Sequence, residues 1–109
     1  MRQVLARVRE DSSLRLGLAP EGGDNPSGEL CMPAPGLGRF CLLLAAAGLN
    51  FVPVGAFESE GSFRLAFGPP YSLVLPAGVP APDRDHQAAR QVMERIALLL
   101  PQPLRGEFR

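Results

Sequence analysis

Between Gly36 and Gly48 the chain reads GLGRFCLLLAAAG, a helix-forming segment that is apolar nearly all round, with Arg39 its only charge. A helix without a polar face has to be covered on every side, and a sheet is the expected cover. Pro35 and Gly36 open this helix, and Gly48 is placed to cap its C-terminus. Upstream, Leu14, Leu16 and Leu18 alternate as a modest strand interrupted by Arg15 and Gly17. Downstream, NFVPVGAF (50–57) is a β-branched and aromatic run, in which Pro53 argues for an edge position or a bulge. The turn ESEG leads into SFRLAFG, a strand with Phe63, Leu65 and Phe67 on one face.

Two further helices frame these elements. Val4, Leu5 and Val8 make a short amphipathic stripe over residues 2–10, which Asp11, Ser12 and Ser13 break. Near the other end, Asp83 is the expected N-cap of a helix whose apolar stripe is Ala89, Val92, Met93, Ile96, Ala97 and Leu100, stopped by Pro101. The order helix, strand, helix, strand, strand, helix predicts a single α/β domain over residues 1–109. It has a small mixed or parallel sheet, a buried crossover helix and a C-terminal helix. The crossover predicts parallel strands in a right-handed βαβ unit. There is no internal repeat.

Composition narrows the function classes. With 109 residues, 46% of them apolar, the chain can bury one core and is not a disordered segment. Acidic and basic residues balance at 11 each, and the arginines form no stripe, which leaves no electrostatic footprint for nucleic acid. The two cysteines, Cys31 and Cys41, match no zinc or redox spacing and point to a reducing cytoplasm. The first ten residues are too charged for a signal peptide. The longest apolar run, Phe40 to Leu49, falls far short of the ~20 residues of a membrane span.

No catalytic set is visible. The one histidine, His86, lies near Asp83 and Asp85 at a polar helix start, where a solvated histidine is the plain reading. No serine sits in a nucleophile elbow, and neither cysteine has an evident base. One histidine and two separated cysteines cannot complete a tetrahedral metal site, so no metal and no cofactor is expected. Binding is a different matter. LAPEGGDNPSG (18–28) ends an apolar segment by placing Glu21 between a proline and two glycines. This is either a surface turn or a loop whose backbone approaches a ligand outside a strand's carboxyl end.

Five short motifs then occur in order: PEGG, SGEL seven residues downstream, PAPG before the apolar helix, VPVG, and FGPP. Together with the tail QVMERIALLLPQPLRGEF, they make almost the whole chain resemble the C-terminal half of the glycerophospholipid (lysophosphatidic acid type) acyltransferase family. The resemblance implies that Pro20, Glu21 and Gly22 match the family's Pro-Glu-Gly motif, which binds the glycerol-phosphate acceptor, with Gly23 at the usual threonine. It implies that Val52, Pro53 and Val54 match the family's fourth motif. The partners it implies for the full-length protein are an acyl-CoA or acyl-ACP donor and a glycerol-phosphate or lysolipid acceptor. Contact with the inner membrane surface is left open, because the family works there and no basic amphipathic helix marks this chain for it.

Two departures limit what is implied. Asp24 stands where the family often has arginine, which replaces a phosphate partner with a charge that repels phosphate. The family's catalytic motif, a histidine followed after four residues by aspartate, is expected before the Pro-Glu-Gly loop. Here the residue five beyond His86 is Gln91, and His86 lies after the loop. The expectation is an acceptor-binding portion of a larger acyltransferase domain that has no turnover by itself. The alternative is a non-catalytic ligand-binding or assembly module on the same fold. A half-domain of this kind would leave a sheet edge unpaired and favour self-association.

Overall fold

A computed structural model describes residues 2–11, 13, 15–21 and 28–109 of the chain. Three helices, α1 (Arg2–Glu10), α2 (Leu37–Ala46) and α3 (Arg84–Ala97), enclose the core, and two strands, β1 (Val54–Ser59) and β2 (Ser62–Phe67), form a hairpin. The architecture is therefore a small mixed α/β fold.

The apolar helix α2 is covered chiefly by other helices. Val8 of α1 packs on Phe40 and Leu44, while Cys41 meets Ala88 and Val92 of α3 together with Tyr71 and Leu73 from the extended segment beyond the hairpin. Leu43 remains on the surface. Its C-terminus closes as expected from Gly48. The Leu49 N–H reaches back to the Leu44 carbonyl (3.2 Å) and the Gly48 N–H to Ala45 (3.0 Å), with Gly48 at φ 98°. This is the Schellman arrangement, and its left-handed residue favours glycine.

The N-terminus of α2 is capped across the fold. The Asp85 carboxylate accepts from the Gly36 N–H (2.7 Å) and the Arg39 N–H (2.8 Å), satisfying helix donors that have no intrahelical partner. Asp83, the expected cap of α3, occupies the N-cap position without a side-chain hydrogen bond. A 3₁₀ turn, Ala81–Asp83, runs straight into α3 and holds Asp83 in helical backbone (φ −96°, ψ −7°), not the extended conformation a capping side chain needs. The apolar stripe of α3 is buried as its spacing predicts, through Ala89, Val92, Met93 and Ala97, with Leu100 following beneath the core.

The sheet differs from the parallel crossover that the element order predicts. β1 and β2 are antiparallel, in register from Val54↔Phe67 to Ser59↔Ser62. Glu60 and Gly61, at φ 51° and 78°, form the two-residue turn, whose twist matches a hairpin. Sequence neighbours joined by so short a turn pair at little entropic cost, and they pair first with each other. The ladder continues past the hairpin through Gly68 N–H to Pro53 carbonyl (3.0 Å) and a mutual Phe51–Tyr71 bridge (2.8 Å each way). One residue lies between Phe51 and Pro53 but two, Pro69 and Pro70, lie between Gly68 and Tyr71, so the two prolines form a bulge, and Pro53 joins the ladder through its carbonyl alone. Residues 15–19 belong to no strand, and Leu14 lies outside the described residues. They do not pair with residues 50–54 because a cleft separates the two segments.

The C-terminal residues fold back over α3. Phe108 is buried with Met93 and Ala97, Arg90 lies over its ring (5.3 Å), and the Leu30 N–H bonds the Leu104 carbonyl (2.9 Å). No helix among the described residues is long and apolar enough to cross a membrane.

Two outcomes follow from the α2–α3 contact. A Cβ on Gly38 would collide with the Asp85 carbonyl oxygen and lie 2.7 Å from the Ala89 nitrogen. Gly38→Ala is therefore expected to force the helices apart and cost about 2 kcal/mol or more in urea unfolding. The amide N–H groups of α2, Gly36 foremost, hold the Asp85 carboxyl below its ordinary value against a smaller opposing effect of burial. Its contribution to stability is present above the unfolded carboxylate pKa of about 4 and fades as pH falls through the lowered native value. Asp85→Asn should cost about 1 kcal/mol at neutral pH and flatten the acid limb of a pH–stability curve.

Candidate functional site

A cleft of about 540 Å³ lies where residues 15–20 face residues 49–54. Its two walls are Leu16, Leu18 and Pro20 on one side and Phe51, Val52 and Val54 on the other. Leu44 of α2 and Val92 and Ile96 of α3 form the floor, so the cleft is seated on the helix pair that holds the core. Each wall is shaped by local chemistry. Val52 and Val54 share one side of an extended chain, held in place by the Phe51–Tyr71 bridge and by the Pro53 carbonyl. Leu16 and Leu18, two positions apart, both line the opposite wall.

The polar groups are few. Arg15 and Asn50 line the cleft as its principal charged and amide side chains, and the Asn50 carboxamide oxygen accepts from Ser72 Oγ (3.2 Å). Tyr71 stacks obliquely on Phe51 (ring centroids 5.8 Å apart), and the Arg95 guanidinium lies over the Tyr71 ring, 4.4 Å from its centroid. Burial raises the Tyr71 hydroxyl above its ordinary pKa, and Arg95 partly offsets this. The Cys41 thiol, also in the cleft lining, is pushed up to about 11, by burial first and by the Asp85 carboxylate second. It is a protonated thiol at neutral pH and a poor nucleophile. An apolar cavity of this size with a guanidinium and an amide in its lining suits an apolar ligand that carries a polar or anionic end.

Of the residues matched to the acceptor motif, Pro20 lines the cleft. Glu21 is half-buried beside it, and its Oε2 accepts from the Cys31 N–H and Sγ, both at 3.2 Å. Glu21 thus ties the start of the loop to its end. Gly22, Gly23 and Asp24 lie outside the described residues. Val52, Pro53 and Val54 all line the cleft, Pro53 with its ring buried against Gly68. The cleft therefore brings together the two segments that carry the Pro-Glu-Gly and Val-Pro-Val motifs. His86 is exposed on the first turn of α3 and does not line the cleft. Among the described residues no three histidine, cysteine or carboxylate side chains are grouped to hold a metal.

Arg15 and Asn50 were not among the residues singled out from sequence. Arg15 interrupts an alternating leucine segment, where it reads as a flaw in a strand, and Asn50 reads as the first residue of the strand run 50–57. Comparison with protein-family models, with characterised proteins and with solved structures finds no match to this chain.

The thiols provide a check on this geometry. Cys41 is fully buried while Cys31 is exposed. A disulfide reagent is expected to react with Cys31 in the native protein and with Cys41 only on unfolding, as read by mass spectrometry of labelled peptides.

Proposed function

We propose that this chain is the C-terminal, acceptor-binding portion of a glycerophospholipid acyltransferase. In this reading it receives a glycerol-phosphate or lysolipid acceptor for acyl transfer from acyl-CoA or acyl-ACP. The observation that carries the reading is the shared cleft: Pro20, from the segment resembling the acceptor motif, and Val52–Val54, from the segment resembling the fourth motif, line one cavity. Those segments are more than thirty residues apart in the sequence, so their meeting is independent support for a likeness first drawn from short motifs. An apolar cavity with Arg15 in its lining also suits a lysolipid, whose chain needs apolar walls and whose phosphate needs a cation.

Acyl transfer requires a base to take the proton of the acceptor hydroxyl as it attacks the thioester carbonyl and expels the thiol. His86, on the first turn of α3, lies outside the cleft lining. The chain in this account binds an acceptor and does not turn it over. That same observation favours the second reading, a non-catalytic ligand-binding module.

Titration calorimetry with lysophosphatidate and with glycerol 3-phosphate tests the proposal. Lysophosphatidate should bind, Val52→Asp should weaken it by about tenfold or more, and acyl-CoA added with it should release no thiol. Failure of both acceptors to bind would refute the acceptor site. Thiol release that disappears in Glu21→Gln would refute the inactivity.

A further inference from the structure

The cleft is apolar with one unbalanced charge. Among the described residues of its lining, Arg15 is the single ionised side chain at neutral pH, and no aspartate or glutamate is present. Arg15 is exposed and makes no ion pair or hydrogen bond with a described residue, whereas Arg90 pairs with Glu94 and Glu107, and Arg109 with Glu29. The Asn50 oxygen is taken by Ser72 Oγ (3.2 Å), which leaves the Asn50 Nδ2 group without a partner among the described residues. Glu21, beside Pro20, lies outside the lining and accepts instead from the Cys31 N–H and Sγ. The side chains of the cleft therefore offer a positive charge and N–H donors between apolar walls, and no carboxylate to receive the hydroxyls of a glycerol.

We propose that this cleft takes a free long-chain fatty carboxylate, with its chain against the leucine and valine walls and its carboxylate on Arg15. Charge selects the carboxylate. It carries one negative charge at neutral pH, which the one guanidinium of the lining balances in a two-pronged pair. A phosphate monoester carries about −1.5 to −2 and leaves part of that charge unmatched by the lining. Volume selects the chain. The cavity of about 540 Å³ has room for one acyl chain, between Leu16 and Leu18 on one wall and Val52 and Val54 on the other. Each methylene moved from water to such walls tightens binding by up to about fourfold, so chain length governs affinity. The proposal rests on the same cleft as the acceptor reading and is independent of acyl transfer. A fatty carboxylate has no hydroxyl to acylate and occupies the site as a competitor of the lysolipid.

Titration calorimetry on the full chain, with every probe below its critical micelle concentration, tests this ligand class. Dodecanoate should bind saturably, about tenfold or more tighter than dodecyltrimethylammonium, which has the same chain and the opposite charge. Octanoate should bind about tenfold or more weaker than dodecanoate. Arg15→Glu, at an exposed position outside the core, should reverse the preference between the two dodecyl probes. Equal binding of both charges, affinity indifferent to chain length, or a preference that survives Arg15→Glu would overturn the proposal; the first two need no variant. Lysophosphatidate bound without dodecanoate would overturn it and leave the acceptor reading standing. Dodecanoate bound without lysophosphatidate would support it and refute that reading.

Discussion

The close crossing of α2 and α3 at Gly38 is the contact on which the rest of the structure depends. The missing side chain brings the α3 backbone at Asp85 and Ala89 against α2, and this closeness allows the Asp85 carboxylate to reach the Gly36 and Arg39 amides. One aspartate then does two things. It satisfies the donors that a helix opening with Pro-Gly cannot satisfy by itself, and it fixes the axial position of one helix on the other. Cys41, Ala88 and Val92 close the same interface with small and medium side chains, as such proximity requires. The floor of the cleft, Leu44, Val92 and Ile96, comes from this pair, so the crossing also sets the depth of the candidate site.

Helices were legible in the sequence because their signals are local and repeated. The α3 stripe from Ala89 to Ala97 and the Gly48 cap of α2 occur as their spacing predicts. The hairpin was legible too, through ESEG and the alternation of Phe63, Leu65 and Phe67. The sheet topology was not. Alternation at Leu14, Leu16 and Leu18 predicts a strand, but residues 15–19 belong to none, because alternation cannot name a pairing partner. The partner expected across α2 is on the far side of a cleft, and β1 pairs with its sequence neighbour. The exchange of Asp83 for Asp85 has a similar cause. Position along the chain marks Asp83 as a cap, whereas a cap delivered to a different helix exists only in three dimensions.

The candidate site was half legible. Short motifs drew attention to Pro20, Glu21 and Val52–Val54, and the cleft joins Pro20 to the valine segment. Glu21 behaves differently from a side chain aimed at a ligand, since its carboxylate holds the Cys31 end of the loop. That clasp gives the carboxylate a structural role, joining Glu21 to Cys31. Arg15 escaped notice because a lone arginine among leucines has no motif, although a cation in an apolar wall is what an amphiphilic ligand with an anionic end would select. The exposed hairpin face and the cleft meet at Val54.

The central claim is that the two motif segments form one ligand site. Amide chemical-shift mapping during a lysophosphatidate titration tests it most directly. The account predicts saturable shifts centred on residues 15–20 and 49–54, together with Leu44 and Ile96 on the cleft floor. Shifts confined to the hairpin face around Phe63 and Leu65, or spread without saturation, would contradict it.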